Sequence, residues 1–161
     1  MNGHILVKIV DYSTIRFLLN VKKTLKAMSA APKVKILARY GTGMNSVDTE
    51  AAKRHGIIVT NCPGVIANSV AEHIMMLMLA GVRNLPKMND MTKEGQWINL
   101  NFHEITGKTV GILGFGFIGK LVAKKLTGFD CRTIAYDVVH DDETAAKYNG
   151  ECKSFEELIA E

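Results

Sequence analysis

The stretch GILGFGFIGK, residues 111–120, constrains this chain more than any other. Gly114, Gly116 and Gly119 satisfy G-x-G-x-x-G, preceded by the apolar run TVGIL and followed by a helix-type segment from about Ile118 to Thr127. Each glycine meets a separate steric demand: a tight turn, close approach of backbone to a pyrophosphate, and helix packed against strand. The motif alone is weak, but its context adds an acid at the end of the next strand-type run, RTIAYD. Asp137 lies 18 residues beyond Gly119, near the roughly 20 expected of a dinucleotide site. Phosphate charge would sit at the helix start near Phe117 and Ile118, held by free backbone amides. The Asp137 carboxylate would accept hydrogen bonds from the adenosine ribose hydroxyls and repel a 2′-phosphate, so the expected cofactor is NAD rather than NADP.

The pattern around this unit is βα repetition. HILVKIV (4–10) is a strand-type run, and STIRFLLNVKKTLKAM (13–28) places Ile15, Leu18, Leu19, Val21 and Leu25 at helical spacing. VKILARY and GIIVTN follow as strands around DTEAAKRH, where Asp48 can cap a short helix that Lys53, Arg54 and His55 finish before Gly56 stops it. A long helix comes next, with Ser69 and Glu72 at the S-x-x-E spacing of a reciprocal cap. Its stretch Ile74–Leu79 is apolar on every face, which calls for cover on two sides, by a neighbouring lobe or second subunit or within one domain's core. MTKEGQWINLNFHEITGK loses periodicity and reads as a link with Trp97 packed, putting a boundary near residue 105. Beyond RTIAYD stand an acidic helix start at HDDE, a brief strand at ECK and a last helix, SFEELIAE. Alternating short strands and helices imply an α/β chain with parallel, helix-covered sheets.

Composition excludes more than it selects. With 161 residues, 47% apolar and 22% charged, the chain is expected to be globular. The net charge is +4, yet no run of basic residues exceeds two, so no nucleic-acid partner is expected. The longest apolar run, Ile74 to Val82, is nine residues, less than half of a membrane span of about 20. With no secretion signal at the N-terminus, the expected location is cytoplasmic. Cys62, Cys131 and Cys152 are widely spaced without CxxC and are expected to be buried thiols; the five histidines form no metal-spaced pair, so no metal is expected.

Taken together, ARYGTGMNSVDTEAAKRHGIIVTNCPGVIANSVAEHIMMLMLAGVRNLP, EGQW, GKTVGILGFGFIGKLVAKKL and IAYD closely resemble the D-isomer-specific 2-hydroxyacid dehydrogenases, the family that includes D-3-phosphoglycerate dehydrogenase. The resemblance runs over nearly the whole chain. It implies a partial flavodoxin-like substrate and dimerisation lobe over residues 1–104, followed by the first part of a Rossmann NAD-binding domain, a doubly wound parallel sheet, over 105–161. It also implies hydride transfer between NAD and C2 of a 2-hydroxy or 2-keto acid. By it, Tyr40, Gly41, Thr42 and Gly43 offer backbone amides to the substrate carboxylate, Thr42 also lies near the cofactor, and a homodimer forms through the helix starting at Ser69. Glycines in such a loop let amides converge on an anion.

Two departures stand out: Asn45 and Ser46 replace an Asp-Asn pair found in many relatives, and Phe117 replaces an arginine common in the glycine turn. Active members are about twice this length, and the catalytic Arg, Glu and His of the family belong to sequence beyond the third Rossmann strand. Arg39, Glu72 and His73 do not correspond to them, so no catalytic residue is assigned. The expectation is a chain truncated at both ends, an NAD-binding part of an oxidoreductase that is inactive alone. The alternatives are a short non-catalytic NAD- or partner-binding protein on the same fold, or one half of a two-chain enzyme.

Overall fold

A computed structural model describes residues 15–18, 28–97 and 101–161, which fall into two compact units, 1–66 and 67–161. The strand-type run at 4–10 lies outside the described residues. In the first unit, β1 (Ile15–Leu18), β2 (Ile36–Arg39) and β3 (Ile58–Thr60) form a parallel sheet in the order β1-β2-β3, with Ile15 opposite Ile36 and Ile36 opposite Ile58. Of the helix expected over 13–28, the part at Ile15–Leu18 is corrected here to a strand, while residues 13, 14 and 19–27 lie outside the described residues. Apolar spacing over so short a run fits either element, and parallel pairing along β2 decides it.

Between β2 and β3 runs α1 (Thr49–Arg54), capped as its sequence predicts. The Asp48 carboxylate accepts from the Ala51 N–H at 2.8 Å, and Gly56 leaves the helix at φ +65°. Ala51 and Ala52 are wholly buried and let α1 lie close on the sheet, in a core with Met28, Val34, Leu37, Val47 and Ile57.

The second unit begins with α2 (Ala67–Val82) and α3 (Leu85–Lys93). Because α2 starts at Ala67, Ser69 lies inside the first turn and is no cap; Glu72 instead accepts from the Asn68 side chain at 2.9 Å. Polar sequence hid α3, which buries none of its residues and starts after Asn84 in a left-handed turn, with Pro86 in its first turn. Trp97, expected to pack, is 98% exposed.

A second parallel sheet follows from β4 (Thr109–Leu113), β5 (Arg132–Tyr136) and β6 (Gly150–Cys152), in the order β4-β5-β6, with Thr109 opposite Arg132 and Thr133 opposite Gly150. α4 (Phe117–Leu126) and α5 (Asp142–Lys147) are its crossovers, and α6 (Phe155–Ala160) closes the described chain. A reciprocal cap does form at α6, where Ser154 and Glu157 exchange side-chain and backbone hydrogen bonds. α2 packs into this unit through Ala71 and Met75, against Val122, Ala123 and Leu126 of α4. The boundary expected near residue 105 therefore falls within one compact unit. Cys62, Cys131 and Cys152 are half-buried rather than buried, and burial still raises the thiol pKa of Cys131 and Cys152.

Among the described residues, no helix is long and apolar enough to cross a membrane. Two apolar surfaces remain open. On α2, Met76 and Leu77 are more than half exposed, opposite the face that packs. β4 pairs only with β5 among the described strands, and its free side borders a groove of about 890 Å³ lined by Ile74, Met78, Val82, Val110, Leu113 and Val122. An edge strand beside apolar side chains is a template for association. Residues 1–161 are accordingly expected to sediment as a concentration-dependent mixture of species, and Met76→Lys with Leu77→Lys to reduce it. A single monomeric boundary at all concentrations would overturn this.

Candidate functional site

Both sheets bring functional candidates to the carboxyl ends of parallel strands, where ligands of open α/β sheets bind. In the second unit the register sets Leu113 opposite Tyr136, so the next residues of the two strands, Gly114 and Asp137, leave the sheet together. The Gly114 N–H donates to the Tyr136 carbonyl at 2.8 Å, extending the ladder by one bond. There the chain turns, with Gly114 at φ +99°, a conformation that L side chains rarely adopt. Phe115 follows with its ring buried in the core, 3% exposed.

Gly116 is the N-cap of α4, extended at φ −79° and without a side chain to cap the helix. A Cβ on Gly116 would project into open space. The first intrahelical bond runs from the Lys120 N–H to the Gly116 carbonyl at 3.0 Å, so the N–H groups of Phe117, Ile118 and Gly119 precede the helical ladder. Gly119 is the opposite case, because a Cβ there would lie 2.2 Å from the Gly114 carbonyl oxygen and 3.2 Å from Ile112. Side chains farther along α4, Val122, Ala123 and Leu126, enter the core and fix the helix to which these amides belong.

Asp137, half-buried, is held by two backbone donors. One carboxylate oxygen accepts from the Phe115 N–H at 2.7 Å and the other from the Val138 N–H at 2.7 Å. A carboxylate has about four acceptor positions, so about two remain for other donors. The first of these bonds joins the acid to the glycine turn. Nothing in the sequence marks Phe115 for it, although the strand register that sets 114 beside 137 could have suggested it.

Phe117 is 76% exposed at the start of α4, and Ile118 beside it is partly exposed. The turn itself, residues 114–119, contains no basic residue. The nearest lysine along the helix, Lys120, is paired with Asp141, which also accepts from the Thr144 N–H and hydroxyl. The Lys120 ammonium and then the Thr144 donors lower the Asp141 carboxyl pKa to about 2. This contact ties the nucleotide-type helix to the start of α5, whose acidic first turn is the HDDE segment.

The loop residues belong to the first unit. Parallel pairing of β2 and β3, with Ala38 opposite Thr60, brings Tyr40, Gly41, Thr42 and Gly43 beside Asn61 and Cys62. The Asn61 side chain donates to the Thr42 carbonyl at 2.8 Å, the Thr42 hydroxyl to the Cys62 carbonyl at 3.2 Å, and the Cys62 N–H to the Gly41 carbonyl at 3.1 Å. Arg39 donates to the Tyr40 carbonyl at 2.5 Å. Gly41 is at φ +137°, and Tyr40 is exposed. The carbonyls of Tyr40, Gly41 and Thr42 are thus turned toward internal donors. The sequence marks neither Asn61 nor Cys62 as a partner of this loop, though their position one and two residues past a parallel strand is the signal.

Residues 75–161 match the family described as D-isomer specific 2-hydroxyacid dehydrogenase, NAD binding domain. The chain is 39% identical to D-3-phosphoglycerate dehydrogenase of Mycobacterium tuberculosis over 137 residues, 84% of this chain and 26% of that protein. It is 34% identical to glyoxylate reductase of Thermococcus gammatolerans over 166 aligned positions, 98% of this chain and 50% of that one. Among solved structures, D-lactate dehydrogenase from Aquifex aeolicus, complexed with NAD and lactic acid, superposes with a TM-score of 0.75 at 27% identity, covering 90% of this chain and 44% of that one. This chain therefore spans a quarter to a half of the length of these relatives.

Two outcomes follow from the geometry. Gly119→Ala is expected to destabilise the protein by about 1–3 kcal/mol through overpacking against backbone, outweighing the ~1 kcal/mol of helix propensity that alanine gains. Gly116→Ala, whose Cβ would meet open space, should cost under about 1 kcal/mol; urea melts measure both. For Asp141, a folded pKa of about 2 lies below an unfolded value of about 3.9. Its contribution is complete above the unfolded value and is lost as pH falls toward 2. The melting temperature of Asp141→Asn should accordingly fall less than that of wild type between pH 4 and 2.

Proposed function

Because the chain belongs to the D-isomer-specific 2-hydroxyacid dehydrogenases, its residues 75–161 matching their NAD-binding domain, we propose that it carries the cofactor-holding part of an oxidoreductase. The reaction class is hydride transfer between NAD and C2 of a 2-hydroxy or 2-keto acid. The observation that carries the reading is the turn at 114–119: a glycine at φ +99°, an open face over Gly116, and a third glycine whose missing Cβ lets helix and strand touch. The space that a Cβ on Gly116 would fill is the space a pyrophosphate needs.

In this reading the Phe117, Ile118 and Gly119 amides, at the positive end of α4, hold the pyrophosphate. Asp137 spends two acceptor positions on Phe115 and Val138 and turns the rest to the ribose hydroxyls. Its negative charge disfavours a 2′-phosphate, which selects NAD over NADP. When bound, NAD supplies the hydride acceptor or donor. The Tyr40–Gly43 loop contributes amides to the substrate carboxylate; the carbonyls of Tyr40, Gly41 and Thr42 are already engaged by Arg39, Cys62 and Asn61, which favours N–H groups as the polarity the loop offers an anion. The Thr42 hydroxyl, donating to Cys62, has lone pairs to offer and no free proton.

We assign the division of labour by chemistry rather than by compactness, residues 1–104 serving substrate and pairing between copies, and 105–161 the nucleotide. No residue described here is assigned the acid–base role. Arg39 is bonded to the loop backbone, Glu72 to Asn68 and Lys125, and His73 lies exposed on α2. General acid–base catalysis contributes about 10²–10⁴ in rate, so residues 1–161 alone are expected to show no turnover.

Calorimetry with NAD and NADP, alongside an NADH-linked assay with glyoxylate and lactate, tests this. Tighter binding of NAD than NADP with no turnover is expected. Equal affinities would remove Asp137 from its selecting role, and turnover at ordinary enzyme rates would show that acid–base groups are present in 1–161.

A further inference from the structure

We infer that Asp137 is a positioning residue for the glycine turn as well as a ribose acceptor, so that it strengthens binding of phosphate groups it does not touch. The inference rests on the nucleotide reading above. Its starting point is the 2.7 Å bond from the Phe115 N–H to the Asp137 carboxylate. Phe115 sits between the first two glycines of the motif, with its ring fixed in the core and its N–H turned out of the strand. Without Asp137 that donor loses its partner at the residue where the turn changes direction. The other carboxylate oxygen accepts from the Val138 N–H, so both oxygens of the clasp are engaged by backbone.

Flexibility here is costly because both flanking residues are glycines, and Gly114 holds a φ of +99° that a glycine readily leaves. Hydrogen bonds to a charged acceptor are about twice as strong as neutral ones. The clasp therefore holds Gly116 and the start of α4 in the arrangement the pyrophosphate meets, before any ligand arrives. Preorganisation of this kind raises affinity by removing the ordering cost from the binding step.

The sign of one measurement separates this role from the ribose contact and from simple electrostatics. ADP has both ribose hydroxyls; 2′,3′-dideoxy-ADP has the same phosphates and base without them. If Asp137 only contacts the ribose, Asp137→Ala leaves dideoxy-ADP affinity unchanged. If its charge acts on the phosphates from a distance, removing a carboxylate strengthens binding of the anion. Only a positioning role makes dideoxy-ADP bind more weakly to the alanine variant.

Calorimetry of 1–161 with both nucleotides, on wild type, Asp137→Asn and Asp137→Ala, carries the test. Asparagine keeps one oxygen for the Phe115 N–H but not the charge, so dideoxy-ADP affinity is expected to fall in the order wild type, Asn, Ala. The full loss should be about tenfold or more. Circular dichroism establishes that each variant is folded; should the alanine variant not fold, wild type against Asn decides in the same sense. Equal or tighter dideoxy-ADP binding by the variants, with ADP bound normally by wild type, overturns the positioning role alone. Failure of wild type to bind ADP overturns the nucleotide reading and this inference with it.

Discussion

The contact between Gly119 and the Gly114 carbonyl governs the second unit. A side chain at 119 would begin 2.2 Å from that oxygen, so α4 and the end of β4 can lie this close only with hydrogen at the position. Because the approach occurs in the first turn of the helix, it fixes where the helix starts as well as how it packs. Val122, Ala123 and Leu126 then fall against Ile112 and Ala135 of the sheet and against Ala71 and Met75 of α2. The amides of Phe117 to Gly119 inherit their position from this packing. A core contact and a ligand-facing geometry are thus one constraint.

The two units use parallel pairing for the same end by different local means. In each, strand register brings two loop starts together at the carboxyl edge. The second unit joins them by a carboxylate bound to backbone N–H groups, leaving acceptors outward beside a run of amides. The first joins them by Asn61, Thr42 and Cys62, which engage the Gly41 and Thr42 carbonyls. The loop of the first unit has Arg39 on its Tyr40 carbonyl, whereas the glycine turn of the second has no basic residue of its own. Near the second sheet, Lys120 is paired with Asp141 and Arg132 with Glu151 and Glu161.

Elements bounded by strong local chemistry were legible in the sequence. Asp48 and Gly56 delimit α1, Asp141 with the acidic turn begins α5, and the glycine motif marks the passage from β4 to α4. What local pattern could not settle depended on partners distant in sequence. Ile15–Leu18 has apolar spacing that either helix or strand can use, and β2 decides. Ser69 has the right spacing to Glu72, but the helix begins two residues earlier, so the cap never forms, while the same spacing at Ser154 does cap α6. α3 shows no apolar stripe because it buries nothing, and Trp97 is exposed although large aromatics usually find cover. In the candidate site the glycines and Asp137 were readable as residue types at a spacing. The bond from Phe115 was not, because a backbone N–H has no signature in sequence and only the register of β4 against β5 shows where it points.

Phe117 gives these geometric details their weight. With an aromatic ring rather than a guanidinium at the start of α4, no side-chain charge in the turn compensates for a misplaced amide. Under the nucleotide reading proposed above, the turn itself would attract a pyrophosphate through backbone dipoles, which act within the first turn and decline steeply with distance and angle. A mobile cation can follow a phosphate that sits slightly out of place, but three amides fixed to a helix cannot. In such a site affinity depends on the rigidity of the turn, and that rigidity rests on the absent side chain at 119 and on the carboxylate at 137.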